Sequence, residues 1–117
     1  MHNLEKTEKP WGRHERFTLN EPSTVKIITI NPGGKLSLQT HKNREEFWKI
    51  LSGHPVITIN EEKIVANPGD TFTINKGDKH RIEASDDEVS FLEICFGDFD
   101  EEDIVRLDDA YGRAHVS

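Results

Sequence analysis

The stretch Gly33–Gly53, GGKLSLQTHKNREEFWKILSG, carries the strongest fold signal in the chain. Its alternating apolar and polar residues predict a strand that ends at His41. Gln39 and His41 lie two positions apart on this strand, so their side chains project from the same face. A polar corner follows, and Glu46 begins the next predicted strand. An antiparallel hairpin would bring Glu46 back beside Gln39 and His41.

A second stretch, Gly69–His80 (GDTFTINKGDKH), places His80 at the start of another predicted strand, behind a glycine turn. Convergence of His80 with Gln39, His41 and Glu46 would combine two imidazole nitrogens, one carboxylate oxygen and one amide oxygen. This donor set predicts one divalent metal ion, with zinc the first expectation and manganese, iron, cobalt or nickel compatible with the same ligands. Gln39 has an alternative role, in which its amide holds a metal-bound water or a substrate hydroxyl.

The same alternation recurs from about residue 14 to residue 97, broken by turns rich in asparagine, proline and glycine. The predicted strands are His14–Leu19, Val25–Asn31, Lys35–His41, Glu46–Leu51, Val56–Asn60, Thr71–Ile74, Lys79–Ala84 and Val89–Phe96. About eight short strands at this spacing favour an all-β sandwich or jelly-roll barrel over a sheet built from βαβ units.

The end of the chain changes period. Ile104, Leu107 and Tyr111 lie three and four residues apart, behind Asp100 as an N-cap and ahead of Gly112 as a stop. This pattern predicts one short amphipathic C-terminal helix. Acidic residues fall in its first turn, where the helix dipole favours negative charge, so the acidic segment is interpreted as a solvated helix start.

Length and composition limit the class of protein. The 117 residues suffice for one domain, and no repeat or linker divides residues 1–117. No apolar run approaches the roughly 20 residues of a membrane helix, and the polar Met1 end has no signal-peptide core, which together predict a cytoplasmic protein. A single cysteine, Cys95, excludes an internal disulfide framework.

The net charge of -7 has the wrong sign for binding nucleic acid or anionic lipid through a general field. Much of the excess is local, because the segment 98–109 contains seven acidic residues and one basic residue, Arg106. A small anionic ligand is therefore still compatible with the charge, provided that a few arginines converge on it.

The two stretches quoted above resemble the motifs of the cupin family. The first motif is matched in spacing by Gly33, Gln39, His41, Glu46 and Gly53. The second is matched by Gly69, Asn75, Gly77 and His80. Gln39 stands where most cupins have a histidine, and Asn75 stands in the usual proline position. The resemblance implies a jelly-roll barrel, the double-stranded β-helix.

A narrower resemblance, to the type II mannose-6-phosphate isomerase domain, covers nearly the whole chain. It is carried by Lys9–Gly12, Leu36–His41 with Arg44 and Glu46, Lys79–Arg81, Asp103–Arg106 and Tyr111–Arg113. The resemblance implies metal binding by Gln39, His41, Glu46 and His80. In that family the domain usually follows a mannose-1-phosphate guanylyltransferase domain, for which this sequence shows no counterpart.

The implied reaction is the interconversion of mannose 6-phosphate and fructose 6-phosphate. A proton moves between C1 and C2 of the opened sugar, and a divalent cation stabilises the negative charge that develops on the two oxygens. The base stays open among Lys49, Glu45, Glu93 and a metal-bound water. Resemblance and charge together assign the substrate phosphate to Arg44, Arg106 and Arg113, with Arg81 less favoured.

Two other functions fit the same residues. One is a non-catalytic metal-containing cupin that binds or senses a sugar or sugar phosphate. The other is a metal-dependent oxygenase, which would need a redox-active metal, oxygen and open coordination positions. Many cupins pair through exposed strand edges, so a homodimer is expected.

Overall fold

Alternating residues form a run of short antiparallel strands in this computed structural model, which describes residues 4–112. Eleven strands lie in that range: β1 Glu5–Lys9, β2 Gly12–Arg16, β3 Ser23–Ile30, β4 Leu38–Thr40, β5 Glu45–Ser52, β6 Val56–Ile59, β7 Glu62–Val65, β8 Thr71–Ile74, β9 His80–Glu83, β10 Val89–Phe96 and β11 Val105–Asp108. The prediction of an all-β fold is confirmed. Between residues 4 and 112 there is no helix that is long and apolar enough to cross a bilayer.

The strands form two sheets and a separate hairpin. One sheet has the order β3-β10-β5-β8, the other has the order β11-β4-β9-β6-β7, and β1 pairs with β2. Side chains from both sheets, such as Ile50 and Phe91 from the first and Ile57 and Ile82 from the second, share one buried cluster. The hydrophobic core therefore lies between the two sheets, as in a jelly roll.

Strand β5 shows how the period-2 pattern directs side chains. Glu46, Trp48 and Ile50 face the interior between the sheets, whereas Phe47 lies on the opposite face. Phe47 packs there with Phe96 and other residues of a second apolar cluster, which Leu4 and Phe17 cover. The same alternation thus buries an apolar cluster on each side of this sheet.

The prediction of a C-terminal helix is wrong. Val105–Asp108 form strand β11, which pairs with β4 in register Val105 to Thr40 and Arg106 to Gln39. The free edge of β4 offers backbone partners that an isolated short helix would not gain, and β-branched Ile104 and Val105 favour a strand. Asp100 caps a turn instead, because its carboxylate accepts a hydrogen bond from the Glu102 amide.

Two further strands, β1 and β7, are absent from the sequence prediction. Both are short, and most of their residues are exposed. They therefore lack the alternation that burial of one face imposes. Strand β3 lies at one edge of its sheet. The homodimer that the sequence analysis expects through an exposed strand edge stays a prediction.

The structure explains why the last residue of the first motif, Gly53, is a glycine. Its φ of 81° lies in the left-handed region, and a Cβ there would overlap with the Glu88 carbonyl oxygen. Glycine at this position lets the turn after β5 pack against the start of β10. That close approach holds β5, which carries Glu46, against its neighbour.

Candidate metal centre

Three of the four predicted metal ligands meet inside the barrel. His41 follows β4, Glu46 lies on β5 and His80 begins β9, and all three side chains are buried. One nitrogen of each histidine and one carboxylate oxygen of Glu46 lie within 4.8 Å of one another. The Gly77 amide donates to the His41 carbonyl oxygen at 2.8 Å, which ties the turn before His80 to the first motif.

Gln39 lies on β4 directly opposite His80 of β9 and Arg106 of β11. Its side chain lines the same cavity as Glu46 and His80. The amide nitrogen donates to the Ser37 hydroxyl at 3.0 Å. Direct ligation by Gln39 stays a prediction, and its position suits either of the two roles expected from the sequence.

Backbone carbonyls set the orientation of both imidazoles. His41 Nδ1 contacts the Asp103 carbonyl oxygen, and His80 Nδ1 contacts the Asp78 carbonyl oxygen at 2.9 Å. A carbonyl only accepts, so each Nδ1 carries the proton and donates it. Each Nε2 of the neutral ring then keeps its lone pair, which is the form of histidine that binds a metal.

Glu46 supplies a buried negative charge. Burial by itself favours the neutral acid, but the proximity of His41 and His80 and the hydrogen bond from Trp48 Nε1 (2.9 Å) outweigh it and lower the pKa of Glu46 to about 2. Burial lowers the pKa of His80 in turn, more than the nearby Glu46 charge raises it. The site therefore holds an ionised carboxylate on Glu46, and burial favours the neutral imidazole of His80.

This donor set fits a divalent ion. His41 Nε2 and Glu46 Oε2 are 3.2 Å apart. Ligand atoms at bond lengths of about 2.0–2.1 Å around one zinc ion stand roughly 3 Å apart, so this separation suits a shared cation. Two imidazoles and one carboxylate would hold the ion and leave positions for substrate or water, whatever the identity of the metal.

A cavity of about 190 Å³ opens beside these ligands. Its charged wall residues are Lys26, Arg44, Glu46, Arg81, Glu93 and Arg106. Apolar side chains complete the wall, among them Leu36 and Ile104. Four cationic groups against two acidic ones favour an anionic ligand, although the chain as a whole is acidic.

The arginines named from the sequence have different surroundings. Arg106 lines the cavity, and its buried Nε has no hydrogen-bond partner among the described residues. Arg44 lines the cavity too, but its Nε donates to Glu46 and its Nη2 to His41 Nε2, both at 2.9 Å.

The guanidinium of Arg81 donates hydrogen bonds to the Leu36 carbonyl oxygen and to Asp108. Arg113 lies outside the described residues.

Of the side chains considered as bases, Glu93 lines the cavity. Lys49 and Glu45 lie on the other face of β5 by alternation, and Lys49 Nζ bonds to Glu15 at 2.6 Å. Burial, followed by the nearby charge of Glu46, raises the pKa of Glu93 to about 7. Burial also raises the pKa of the Cys95 thiol, which contacts Glu93 at 3.4 Å and stays neutral.

The raised pKa of Glu93 predicts a loss of stability with pH. Between its ordinary value of 4.5 and about 7, the folded protein holds a proton that the unfolded chain releases. Glu93 therefore makes its full contribution to the free energy of unfolding below pH 4.5. That contribution is lost as the pH rises through about 7. Glu93→Gln should remove this loss and be more stable than the parent at about pH 8.

Urea unfolding of chelator-treated parent and variant at about pH 5 and about pH 8 measures this effect. The difference between the two proteins isolates Glu93, because His80 titrates in both. A variant whose stability advantage is the same at both pH values would contradict a buried, proton-holding Glu93.

Sequence reasoning missed Asp103. Its carboxylate accepts hydrogen bonds from the Lys42 and Asn43 amides at 2.8 and 2.9 Å, and its carbonyl orients His41. The helix prediction placed Asp103 in a solvated first turn. The signal available was the pair of β-branched residues Ile104 and Val105, which favours a strand.

Comparison with known proteins identifies the family. The family described as mannose-6-phosphate isomerase C-terminal matches residues 1–109. Xanthan biosynthesis protein XanB of Xanthomonas campestris pv. campestris is 34% identical over 92% of this chain and 24% of its own length. Mannose-1-phosphate guanylyltransferase ManC of Salmonella typhimurium is 34% identical over 90% of this chain and 22% of its own length. The chain thus spans about a quarter of the length of these curated relatives.

A solved structure supports the fold. A cupin protein of Bacteroides fragilis, BF4112, superimposes with a TM-score of 0.60 at 34% identity, covering 70% of this chain and 72% of its own. The two motifs, the jelly-roll sheets and the buried ligand cluster agree with this likeness. The chain belongs to the mannose-6-phosphate isomerase C-terminal family and has the cupin fold.

Proposed function

We propose that this chain is a metal-dependent sugar-phosphate isomerase that interconverts mannose 6-phosphate and fructose 6-phosphate. One observation carries the proposal. A buried cluster of two imidazoles and an ionised carboxylate opens onto a cavity whose wall holds Arg106, and the buried Nε of Arg106 has no partner within the described part of the chain. The cluster suits a divalent cation and the arginine suits an anion, which are the two recognition needs of this reaction.

His41, Glu46 and His80 would hold the divalent ion, with Gln39 as a fourth ligand or as the group that holds its water. When bound, the ion supplies a Lewis acid that stabilises negative charge on the substrate oxygens. Zinc remains the first expectation, and manganese, iron, cobalt or nickel would suit the same donors. The rest of the reaction falls to the side chains of the cavity wall.

Glu93 is the group we assign to proton transfer between C1 and C2 of the opened sugar. It projects from β10 into the same cavity as Glu46, whereas Lys49 and Glu45 project from the opposite face of their strand. A carboxylate in this position can take the proton from one carbon and return it to the other, while the hydroxyl proton moves between O1 and O2 so that the carbonyl group changes place. The apolar wall residues Leu36 and Ile104 limit exchange of that proton with bulk water.

Arg106 is the group we assign to the substrate phosphate. Its charge is permanent, and its planar fork of N–H donors matches phosphate oxygens. A buried donor without a partner costs free energy, so retention of one at a cavity wall suits a ligand that completes the hydrogen bond. Guanylyl transfer, the activity in the name of ManC, is not part of the proposal, because the match covers about a quarter of that protein.

A coupled assay tests the proposal. Formation of fructose 6-phosphate from mannose 6-phosphate is followed with protein loaded with zinc or manganese, with chelator-treated protein, and after restoring the metal. We expect turnover that disappears on chelation and returns with metal. Glu93→Gln should keep the metal and lose turnover. Saturable, metal-dependent sugar-phosphate binding without turnover in any metal form would overturn the isomerase and favour the non-catalytic sensor.

A further inference from the structure

The guanidinium of Arg44 contacts two of the three candidate metal ligands. Arg44 Nη2 is 2.9 Å from His41 Nε2, and Arg44 Nε is 2.9 Å from Glu46 Oε2. Because those two acceptor atoms are 3.2 Å apart, the planar fork of the guanidinium spans them. A permanent positive charge of the protein itself thus lies against the atoms that a divalent ion would take.

The contact with His41 excludes a metal ion at the same atom. His41 Nδ1 donates its proton to the Asp103 carbonyl, so the ring has one lone pair, on Nε2. That lone pair accepts a hydrogen bond from Arg44, and it cannot form a bond to a metal at the same time. Glu46 differs, since a carboxylate has several lone pairs and can serve two cations.

We propose that Arg44 is an internal counter-ion that competes with the divalent metal for His41 Nε2 and so weakens metal affinity. The inference rests on the metal centre of the proposed function. It adds a consequence for Arg44, for which the sequence offered a contact with the substrate phosphate or a pairing with Glu45 or Glu46. Metal binding must displace the guanidinium from His41, and the work of displacement lowers the apparent affinity for the ion.

The structure offers the displaced side chain a place. Arg44 lines the cavity, and its guanidinium already lies 4.8 Å from the centre of the Phe99 ring. Movement away from His41 leaves the charge in the cavity that Arg106 also lines. An anion that binds Arg44 there holds it off His41, so anion and metal should each strengthen the binding of the other.

The matched pair of variants is Arg44→Met and Lys26→Met. Arg44→Met removes the competing donors and keeps much of the side-chain volume. Lys26 lines the same cavity and lies over the same Phe99 ring, but it contacts none of the candidate ligands among the interactions of the described residues. Lys26→Met therefore controls for the loss of one nearby positive charge.

The experiment is a zinc titration against a chromophoric chelator, on the full chain after removal of metal. We expect Arg44→Met to bind zinc about tenfold more tightly than the parent, as expected for loss of a charge-assisted competing hydrogen bond, and Lys26→Met to change the affinity much less. The thermal midpoint of metal-free Arg44→Met should fall, because buried Glu46 loses its cation, while the zinc-loaded midpoint stays near that of the parent.

Arg44→Lys keeps a cation beside Glu46 but cannot span His41 Nε2 and Glu46 Oε2 together. It therefore tests the competition between Arg44 and the metal if metal-free Arg44→Met does not fold. We expect its zinc affinity to lie between those of the parent and Arg44→Met. Unchanged or weaker zinc binding in the Arg44 variants would overturn the competition while leaving the metal centre intact. A parent protein that binds no divalent metal would instead overturn the proposed function itself.

Discussion

Replacing His80 with alanine is expected to abolish the retention of divalent metal while leaving the barrel folded. His80 contributes one of the three nitrogen and oxygen donors that meet inside the barrel. Its Nδ1 is held by the Asp78 carbonyl, so the direction of its Nε2 is fixed. Loss of an outer-shell partner alone typically weakens metal binding by roughly 10–100-fold, and loss of a ligand should exceed that.

The barrel should survive the change. His80 packs against the rings of His41 and Trp48, and truncation to alanine removes these contacts from a buried site. Such a truncation costs about 1–3 kcal/mol, which is less than the usual stability of a domain of this size. Residue 80 takes part in the β4–β9 and β6–β9 pairings through its backbone, which the substitution does not change.

Elemental analysis after exhaustive dialysis, with circular dichroism for the fold, measures this effect. His54→Ala is the matched control. The His54 side chain is 58% exposed, and it pairs with Asp87 at the surface. The control should keep its metal. Equal metal content in parent and His80→Ala protein would remove His80 from the site.

Arg106→Met is expected to weaken the binding of phosphate-bearing substrates selectively. Arg106 lies on β11 opposite Gln39, and its buried Nε has no partner among residues 4–112. A hydrogen bond from a charged donor to phosphate contributes about 1.5–3 kcal/mol, so the KM for mannose 6-phosphate should rise by roughly 10–100-fold. Metal content should not change, since Arg106 is not among the candidate ligands.

Stability provides a second measurement for the same variant. Because an unpartnered buried donor is costly, Arg106→Met should unfold at the same urea concentration as the parent or at a higher one. Arg106→Lys keeps the charge without the fork and should recover part of the phosphate affinity. An equal loss of binding for mannose and for mannose 6-phosphate would argue against a contact between Arg106 and the phosphate. The same comparison applies to Arg113→Ala, whose position lies outside the described residues.

Local sequence patterns were sufficient to predict strands that contribute to the buried core. Val89–Phe96 and Thr71–Ile74 have the predicted bounds, because burial between the two sheets favours apolar side chains at inward positions such as Phe91 and Ile74. The exposed strands β1 and β7 carry no such constraint and were missed. The segment after Asp100 was wrongly predicted as a helix, since its pairing with β4 depends on a strand more than sixty residues earlier in the chain.

The sequence by itself determined the donor types and their spacing. Gln39 and His41 share a strand face, and each motif glycine marks a turn that returns the chain to the barrel. Only the tertiary structure decided how each side chain is used. It directs Glu93 and Arg106 into the cavity, turns Lys49 away from it, and sets Arg44 against His41 and Glu46. The reason is that a hydrogen bond depends on atoms within about 3 Å of each other, and contacts between distant segments exist only after the sheets have packed.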